Sequence, residues 1–547
     1  MSLVTSLASF PAFPPLHIPA PREGLYLGVI PERAAAEHPN SLITLDHDMD
    51  VLPDAGRQLT YLELAEHVDD MSARLWAAGV RPSEHIAVHK ASNFDIYVLA
   101  CAAARIGAVP VLLSPALDGD TVTALLKRLH KPHLLTDEGK LSGSLADMPL
   151  DEAAAKVITT GPARPGAVAL ADLAGAPRRE AVLLHKDHPA VMTHTSGTTG
   201  LPKLVVHTAA SLRGRFRPQE KLASLIRTRE TYAAHLSYVH SRLFLALAVM
   251  LPKGMPIVIL NDSEPAKVAE VFARTRPGFI ETHPNSYMEW EDLVDDARKP
   301  LSNVKYFSST FDAIHPPTMR KLLQASRRNA PLFFQFYGQS ECGPLAGRWY
   351  TPSNVHKADG RCLGFAIPGM THFRLVSRNG KRPSKANPGL IEVQTDGRAV
   401  TYFAEHERYE KEVNGKWWRT GDVGYRTKFG CLHLLDREVD VIEGIDSTLE
   451  VEDVVMGRLE ELIEIVLVPG PNKEPLPVVC TRDDKPLDRE RWARAVKDYP
   501  QLAEPVQMSL SELPRTATMK VQRIELARRL REKAEKAEKA GKTEQTS

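Results

Sequence analysis

Thr193-His194-Thr195-Ser196-Gly197-Thr198-Thr199-Gly200-Leu201-Pro202-Lys203 is the stretch on which the reading of this chain turns. Within nine residues it sets four hydroxyl side chains (Thr195, Ser196, Thr198, Thr199) beside Gly197, Gly200 and Lys203. Glycines free backbone amides to point at one anion, hydroxyls add short-range donors, and the lysine supplies charge. Together they read as a phosphate cradle. The Gly-Lys-Ser/Thr ending of ordinary nucleotide hydrolases is absent, because Pro202 precedes Lys203 and Leu204 follows it. The cradle comes straight after the apolar Ala190-Val191-Met192, as a ligand loop does at the end of a strand in an open α/β sheet.

The surrounding pattern supports such a sheet. A helix is predicted from Thr60-Tyr61, a strand at His85 to Val88, a helix of small residues from Phe94 to Ile106, and a buried strand at Val109 to Leu113. Beyond the loop come strands at Ile257 to Leu260, Gly278 to Ile280 and Val304 to Phe307, with helices at Pro265 to Arg274 and Pro317 to Arg327. Alternation of this kind predicts a mostly parallel sheet covered on both faces. Past Gly364 short alternating strands (Phe373 to Val376, Leu390 to Val393) with Gly and Pro turns predict a β subdomain. After Asp436 a compact α+β segment follows. The fold class is therefore α/β: a large N-terminal domain of mixed parallel sheets with helices and a β subdomain, and a small α+β C-terminal domain. The boundaries are residues 1–435 and 436–531, with a charged Lys/Glu/Ala tail at 532–547, read as a solvated helix end or disordered. No fixed-period repeat is present, which excludes a solenoid.

Composition narrows the function classes. The 547 residues are 43% hydrophobic and 25% charged, ordinary for a soluble protein and ample for one large cored domain plus a smaller one. Lys and Arg total 69 against 68 Asp and Glu, so no global field favours nucleic acid or an anionic membrane, and anionic ligands must be held locally. Met1 to Pro21 has no basic leader, and Pro11, Pro14, Pro15 and Pro19 break any signal helix, so it reads as an extended arm. The longest apolar run, Leu243 to Leu251, is too short to span a bilayer. A cytoplasmic protein is expected. Cys101, Cys342, Cys362, Cys431 and Cys480 show no paired spacing, so buried reduced thiols are expected, with neither a disulfide framework nor a zinc site.

Three further stretches join the cradle. They are Phe336-Tyr337-Gly338-Gln339-Ser340-Glu341, then Trp418-Arg419-Thr420-Gly421-Asp422 followed fourteen residues later by Asp436-Arg437, and Pro514-Arg515-Thr516-Ala517-Thr518-Met519-Lys520. In this order they resemble the signatures of the adenylate-forming superfamily, which holds acyl-CoA synthetases, peptide-synthetase adenylation domains and luciferases. The resemblance spans essentially the whole chain. It implies an enzyme that uses ATP and Mg²⁺ to convert an acid into an acyl-AMP with loss of pyrophosphate, then hands the acyl group to a nucleophile. It also implies that the small C-terminal domain moves. Thr195 to Gly200 and Lys203 would hold phosphate, the Tyr337 ring and Gly338 would lie against adenine, and Ser340 would meet phosphate. Glu341 would hold the metal and Asp422 the ribose hydroxyls; Arg437 and Asp312 would contact the nucleotide. Lys520 would bridge the attacking acid and the α-phosphate, and His240 would gate the acid site. These roles suit the chemistry, since Mg²⁺ wants carboxylate and phosphate oxygens together and a fixed cation offsets developing charge.

The pattern departs from the family in two places. Where small residues are usual the chain has Ser308-Ser309-Thr310-Phe311-Asp312-Ala313, so Thr310, Phe311 and Asp312 are expected to shorten and polarise the pocket and to disfavour a long fatty chain. His235, Tyr238, Ser241, His283 and Asn285 are further lining candidates. On the acceptor side Val439 stands at the hinge, Asp446 replaces a glycine beside the thiol route, and Met519 replaces the glycine before Lys520. A carboxylate beside a thiol raises the thiol pKa, so transfer to CoA is expected to be weak. The leading expectation is an acyl-CoA synthetase-like AMP-forming ligase for a small polar or aromatic acid, with CoA, a carrier-protein thiol or an amine as acceptor and neither nucleic acid nor membrane as partner. The alternatives are an ATP-dependent diazotase activating nitrous acid for an aryl amine, and an inactive nucleotide-binding scaffold.

Overall fold

A computed structural model describes residues 23–195, 201–224, 226–438, 442, 444–445, 447–471, 473–516 and 520–544, with side chains to 535. The arm read at Met1 to Pro21, the loop residues Ser196 to Gly200, and Val439, Asp446 and Met519 lie outside the described residues.

Among the described residues the strands form sheets of fourteen, eight and three. In the largest, Leu42–Leu45, Ile257–Ile259, Tyr232–His235, Phe279–Thr282, Tyr306–Ser309 and Leu332–Gln339 run parallel in that spatial order. Antiparallel strands then continue it through Gly343–Tyr350, Cys362–Ala366, Leu432–Arg437, Trp417–Arg426 and Gly389–Thr395 to Thr371–Val376. The β-rich segment past Gly364 is thus an extension of the main sheet, joined to it through Cys362–Ala366. In the eight-stranded sheet the parallel strand His85–Val88 is central, and Pro189–Thr195 turns back as the antiparallel Lys203–Thr208. Thr195 and Lys203, which flank the cradle, therefore face each other at the ends of two paired strands.

Local chemistry explains the elements. Thr60 caps the helix Tyr61–Ala77 with a reciprocal pair of bonds, Thr60 Oγ1 accepting from Glu63 N at 3.1 Å and Glu63 Oε2 accepting from Thr60 N at 2.7 Å. The helix Asp95–Arg105 is buried almost throughout, as suits a helix apolar all round, with Ile96 to Leu99 followed by small Ala and Cys residues. Leu243 to Leu251 lies in and just after the helix Ser241–Met250, buried against the main core. Among the described residues no helix is long and apolar enough to cross a membrane.

The expectation for the cysteines needs correction. Cys362 and Cys431 form a disulfide, while Cys101, Cys342 and Cys480 are free and buried. The partners are 69 residues apart, and only the antiparallel pairing of Cys362–Ala366 with Leu432–Arg437, in which Cys362 opposes His433, brings them together. The two sulfurs and a His433 ring nitrogen lie within 4.8 Å of one another, a grouping no spacing rule exposes.

The C-terminal unit packs the helices Thr448–Arg458, Arg489–Ala495 and Arg523–Glu544 on the three-stranded sheet, over its own apolar clusters. The last helix takes in much of the charged tail. Asp436 ends the shared sheet by accepting from Thr448 N at 2.9 Å, and Arg361 reaches across to Glu450 at 2.8 Å and Asp453 at 3.7 Å.

Candidate active site

The carboxyl ends of the parallel strands of both sheets open into one cavity of about 1610 Å³, and the C-terminal unit closes it with Glu464, Arg515, Lys520 and Arg523. Ligand sites in open α/β sheets form at such strand ends. At the hairpin Thr195 lies opposite Lys203, and its buried Oγ1 makes no hydrogen bond among the described residues, a donor that suits an anion. Lys203 Nζ donates to Tyr402 OH at 3.1 Å and stands 4.5 Å over that ring, and Tyr402 OH donates to Glu341 Oε1 at 2.7 Å. Lys203 is 3.7 Å from the same carboxylate. A lysine, a tyrosine and a buried glutamate thus share one wall, so negative and positive partners for a metal–phosphate pair are both present.

One end of the cavity is built on a bulged strand. The register shifts between Tyr337 and Gly338, and a Cβ at Gly338 would lie 2.4 Å from Gly343 O, so only glycine fits there. Tyr337 OH donates to Asp422, and Gln339 Nε2 donates to the same oxygen at 3.2 Å and to Thr420 O at 2.7 Å. Asp422 is fixed further by Thr420, whose Oγ1 accepts from Asp422 N at 3.1 Å, and Gly421 turns the chain at φ +73. Arg437 lies opposite Asp422 in register, half-exposed, with Nε 3.6 Å from Oδ1. Tyr337, Asp422 and Arg437 therefore converge, although 85 residues separate the first two. A buried carboxylate that accepts from two side chains and faces a guanidinium is a rigid acceptor for diol hydroxyls.

At the other end, His240 caps the helix Ser241–Met250, its Nδ1 accepting from Arg242 N at 3.0 Å. That bond leaves the ring proton on Nε2, which faces Ser340 Oγ at 3.4 Å. Burial pushes the ring pKa down to about 3, and Arg215, Lys520 and Arg242 push the same way, so His240 is neutral at working pH and serves as a donor. Phe311 sits edge-on to His240 at 4.8 Å and stacks on His283 at 4.4 Å. Its φ of +83 is unusual for a side chain of this size. Phe311 thus narrows this end of the cavity, whereas the Asp312 side chain is exposed at the cavity rim with its carboxylate on Ala313 N. His235 bonds Ser286 at 2.9 Å behind this wall. Tyr238 is buried in the main core and bonds Leu260 O.

Lys520 reaches the cavity from a folded-back segment. Arg515 pairs with Val521 in a bridge, Thr516 N donates to Lys520 O at 2.9 Å, and Arg515 is anchored on Glu464 at 2.8 Å. On the helix Thr448–Arg458, Asp453 is pushed up to about 7 by burial, helped by Glu452, Asp359 and Glu450 and opposed by Arg361. A raised carboxyl pKa stabilises the folded arrangement in full below the ordinary carboxylate range, and that contribution is lost as pH rises through about 7. Asp436, pushed to about 6, moves the same way. Hydrogen exchange in the strand Leu462–Pro469 should accordingly speed up between about pH 4 and about pH 7, after correction for intrinsic exchange, and Asp453→Asn should flatten most of that change. An unaltered profile in Asp453→Asn would remove Asp453 as its source.

Tyr402 and Gln339 were not singled out from sequence. Gln339 lies inside a recognised signature, at its variable position, but nothing local points to its bond to Asp422 across 83 residues. Tyr402 carries no local signal, because its place beside Lys203 follows from pairing of Thr401–Tyr402 with Lys203–Thr208 across about two hundred residues.

Known proteins were compared with the chain. Over 527 residues it is 47% identical to a 3-amino-2-hydroxy-4-methoxybenzoate diazotase of Streptomyces cremeus, covering 92% of this chain and 95% of that one. It is 24% identical to a 4-chlorobenzoate–CoA ligase of an Arthrobacter species over 530 residues, 90% and 92% of the two chains. Its fold superposes on the anthranilate CoA ligase AuaEII, solved with anthranoyl-AMP, at a TM-score of 0.77 over 97% of this chain and all of that one, at 16% identity. The family model for AMP-binding enzyme matches residues 31–403, from the first core helix through the cradle to the tyrosine on Lys203. With the four signatures gathered round one cavity, the chain belongs to the AMP-binding enzyme family and is an adenylating, AMP-forming ligase.

Proposed function

We infer that the protein is a diazotase: it activates nitrous acid as its adenylate and passes the nitrosyl group to a primary aromatic amine. The observation that carries this reading is the whole-length 47% identity with a diazotase, about twice the identity with the 4-chlorobenzoate–CoA ligase. The narrowed acid end agrees with it. Phe311 between His240 and His283 suits an acid of a few atoms better than an acyl chain.

The chemistry balances without an oxidant. A nitrite oxygen attacks the α-phosphorus of ATP and pyrophosphate leaves. The amine nitrogen then attacks the nitrosyl nitrogen, the N–N bond forms, the bond from that nitrogen to the phosphate oxygen breaks, and AMP departs. Loss of the amine proton gives the N-nitroso compound, which tautomerises and expels water on protonation to leave the diazonium ion. In this reading Lys203 and Thr195 hold phosphate with the loop between them, and the Tyr337 ring and Gly338 border adenine. Asp422 and Arg437 hold the ribose side. Ser340 and the Nε2–H of His240 face the α-phosphate, and Lys520 supplies the cation between acid and phosphate. Glu341 would hold Mg²⁺, which neutralises charge on the leaving pyrophosphate.

The test incubates purified protein with ATP and Mg²⁺ and offers nitrite with aromatic amines, or carboxylic acids with and without CoA. Nitrite-dependent pyrophosphate release and an amine-derived azo dye after trapping are expected. Rapid acyl-CoA formation with no response to nitrite would overturn the reading in favour of the acyl-CoA synthetase expectation. In the same assay Asp422→Ala should raise the ATP KM by about 10- to 100-fold, the loss of one or two hydrogen bonds to a charged acceptor at about 1.5–3 kcal/mol. An unchanged KM would remove Asp422 from the nucleotide site.

A further inference from the structure

Across neighbouring strands of the main sheet the register sets aromatic side chains on one face. Tyr232 opposes Phe279, and Phe279 opposes Tyr306. Tyr306 opposes Leu332, two residues before Phe334, while Phe334 opposes Trp349 and Phe336 opposes Gly347, which opposes Phe365. Side chains alternate faces along a strand, so all of these share one face. The rings meet in sequence, with centroids 5.2 Å apart for Tyr232–Phe279, 5.7 Å for Phe279–Tyr306, 6.3 Å for Tyr306–Phe334 and 6.0 Å for Phe334–Phe336, the last two pairs stacked. Gly347 keeps the row flat, because a Cβ there would come within 2.8 Å of Phe336 Cδ1. From Phe279 onward the row lines the cavity, and it emerges at Trp349 and Phe365, 59% and 46% exposed. Leu222, Leu245 and Met250 line the same cavity from the neighbouring helices.

The polar end of this slot is Ser308, on the strand of Tyr306 and directly opposite Phe334. Ser308 is 1% exposed and lines the cavity, and its Oγ makes no hydrogen bond among the described residues. A buried hydroxyl without a partner is costly, and that cost is removed when a ligand supplies the partner. On its other side Ser308 opposes Glu281, whose charge is met by Arg242 through Nη2 at 2.6 Å. That end of the slot is polar and electrically balanced, which suits a neutral hydrogen-bond donor on an aromatic ring rather than an ammonium or a free anion.

The geometry points to this slot as the acceptor site: a planar primary aromatic amine lies along Phe334 and Phe336 and gives one N–H to Ser308 Oγ. The assignment rests on the diazotase reading and adds where, and by which residues, the amine is chosen. With one N–H on Ser308, the amine lone pair stays available for the activated acid. Stacking on the Phe334 and Phe336 rings favours a flat aromatic occupant beyond what area burial alone supplies. Ser308 lies three residues before Phe311, so the amine end of the slot adjoins the acid end.

Two readouts separate the acceptor slot from the adenylation site: nitrite-dependent exchange of pyrophosphate into ATP without amine, and azo-dye yield as the amine is varied. Phe334→Ala should raise the amine KM about tenfold or more and leave nitrite-dependent exchange within about twofold of wild type. Ser308→Ala, a change small enough to spare the fold, should lower kcat/KM for the amine by about tenfold while the nitrite KM stays put. If both variants keep the wild-type amine KM and kcat/KM, the slot assignment is wrong and the diazotase reading stands. Parallel loss of exchange and dye formation would show a structural role and also overturn it. If the wild type shows no nitrite-dependent exchange, the diazotase reading fails, and the acceptor assignment with it.

Discussion

Lys520→Ala should lower acid-dependent pyrophosphate release by about 10²–10³-fold while ATP binding and the melting profile stay close to wild type, the loss expected on removing one preorganised charge partner of the transition state. The lysine is poised for that role by its backbone, since the Arg515–Val521 bridge and the mutual bonds of Thr516 and Lys520 fix where its side chain starts. Its charge already reaches into the acid end, where it is among the influences that keep His240 neutral. Stabilising the developing charge requires a cation at the reacting phosphate only in the transition state, so binding should survive its loss. Equilibrium nucleotide binding and pre-steady-state pyrophosphate release measure the two effects separately. Unchanged release would remove Lys520 from the first half-reaction, and a matching loss of ATP affinity would make it a ground-state binding residue instead.

The second large effect concerns stability. Glu281→Ala should destabilise the large domain by about 3–5 kcal/mol, read as a lower urea midpoint. Glu281 is fully buried at the end of a central parallel strand, is gripped by Arg242 through both Nε and Nη2, and accepts from Tyr232 OH at 2.8 Å. Removing the carboxylate leaves a largely buried guanidinium and a buried phenol short of partners, in a place from which water is excluded. The pair need not be worth that much in itself. Replacing both partners together, Glu281→Leu with Arg242→Met, should recover most of the loss, because the cost lies in the uncompensated charge. If the double variant is as unstable as the single one, the effect comes from packing. Since Arg242 also lines the cavity, the double variant tests stability alone, and its turnover carries no inference.

The sequence by itself determined the elements whose causes are local. Thr60 with Glu63 marks a helix start, and the observed helix begins at Tyr61; His85 to Val88 is a strand at the residues predicted, because an apolar run between helical patterns has few other uses. Helix and strand ends elsewhere moved by one to a few residues, as with Val304 to Phe307 against the observed Tyr306–Ser309, where tertiary pairing and not propensity sets the boundary. The four signatures were legible because phosphate, metal and ribose each demand a particular residue type within a short stretch of chain. Their arrangement round one cavity was not, since Tyr337 meets Asp422, and Tyr402 meets both Lys203 and Glu341, only through strand pairings that span dozens to hundreds of residues. The Cys362–Cys431 disulfide, the aromatic row from Tyr232 to Phe365, and the wedge of Phe311 between His240 and His283 belong to that second class. A strand's side chains know only which face they occupy; which other strand lies beside them, and so what they touch, is decided by the order and register of the sheet.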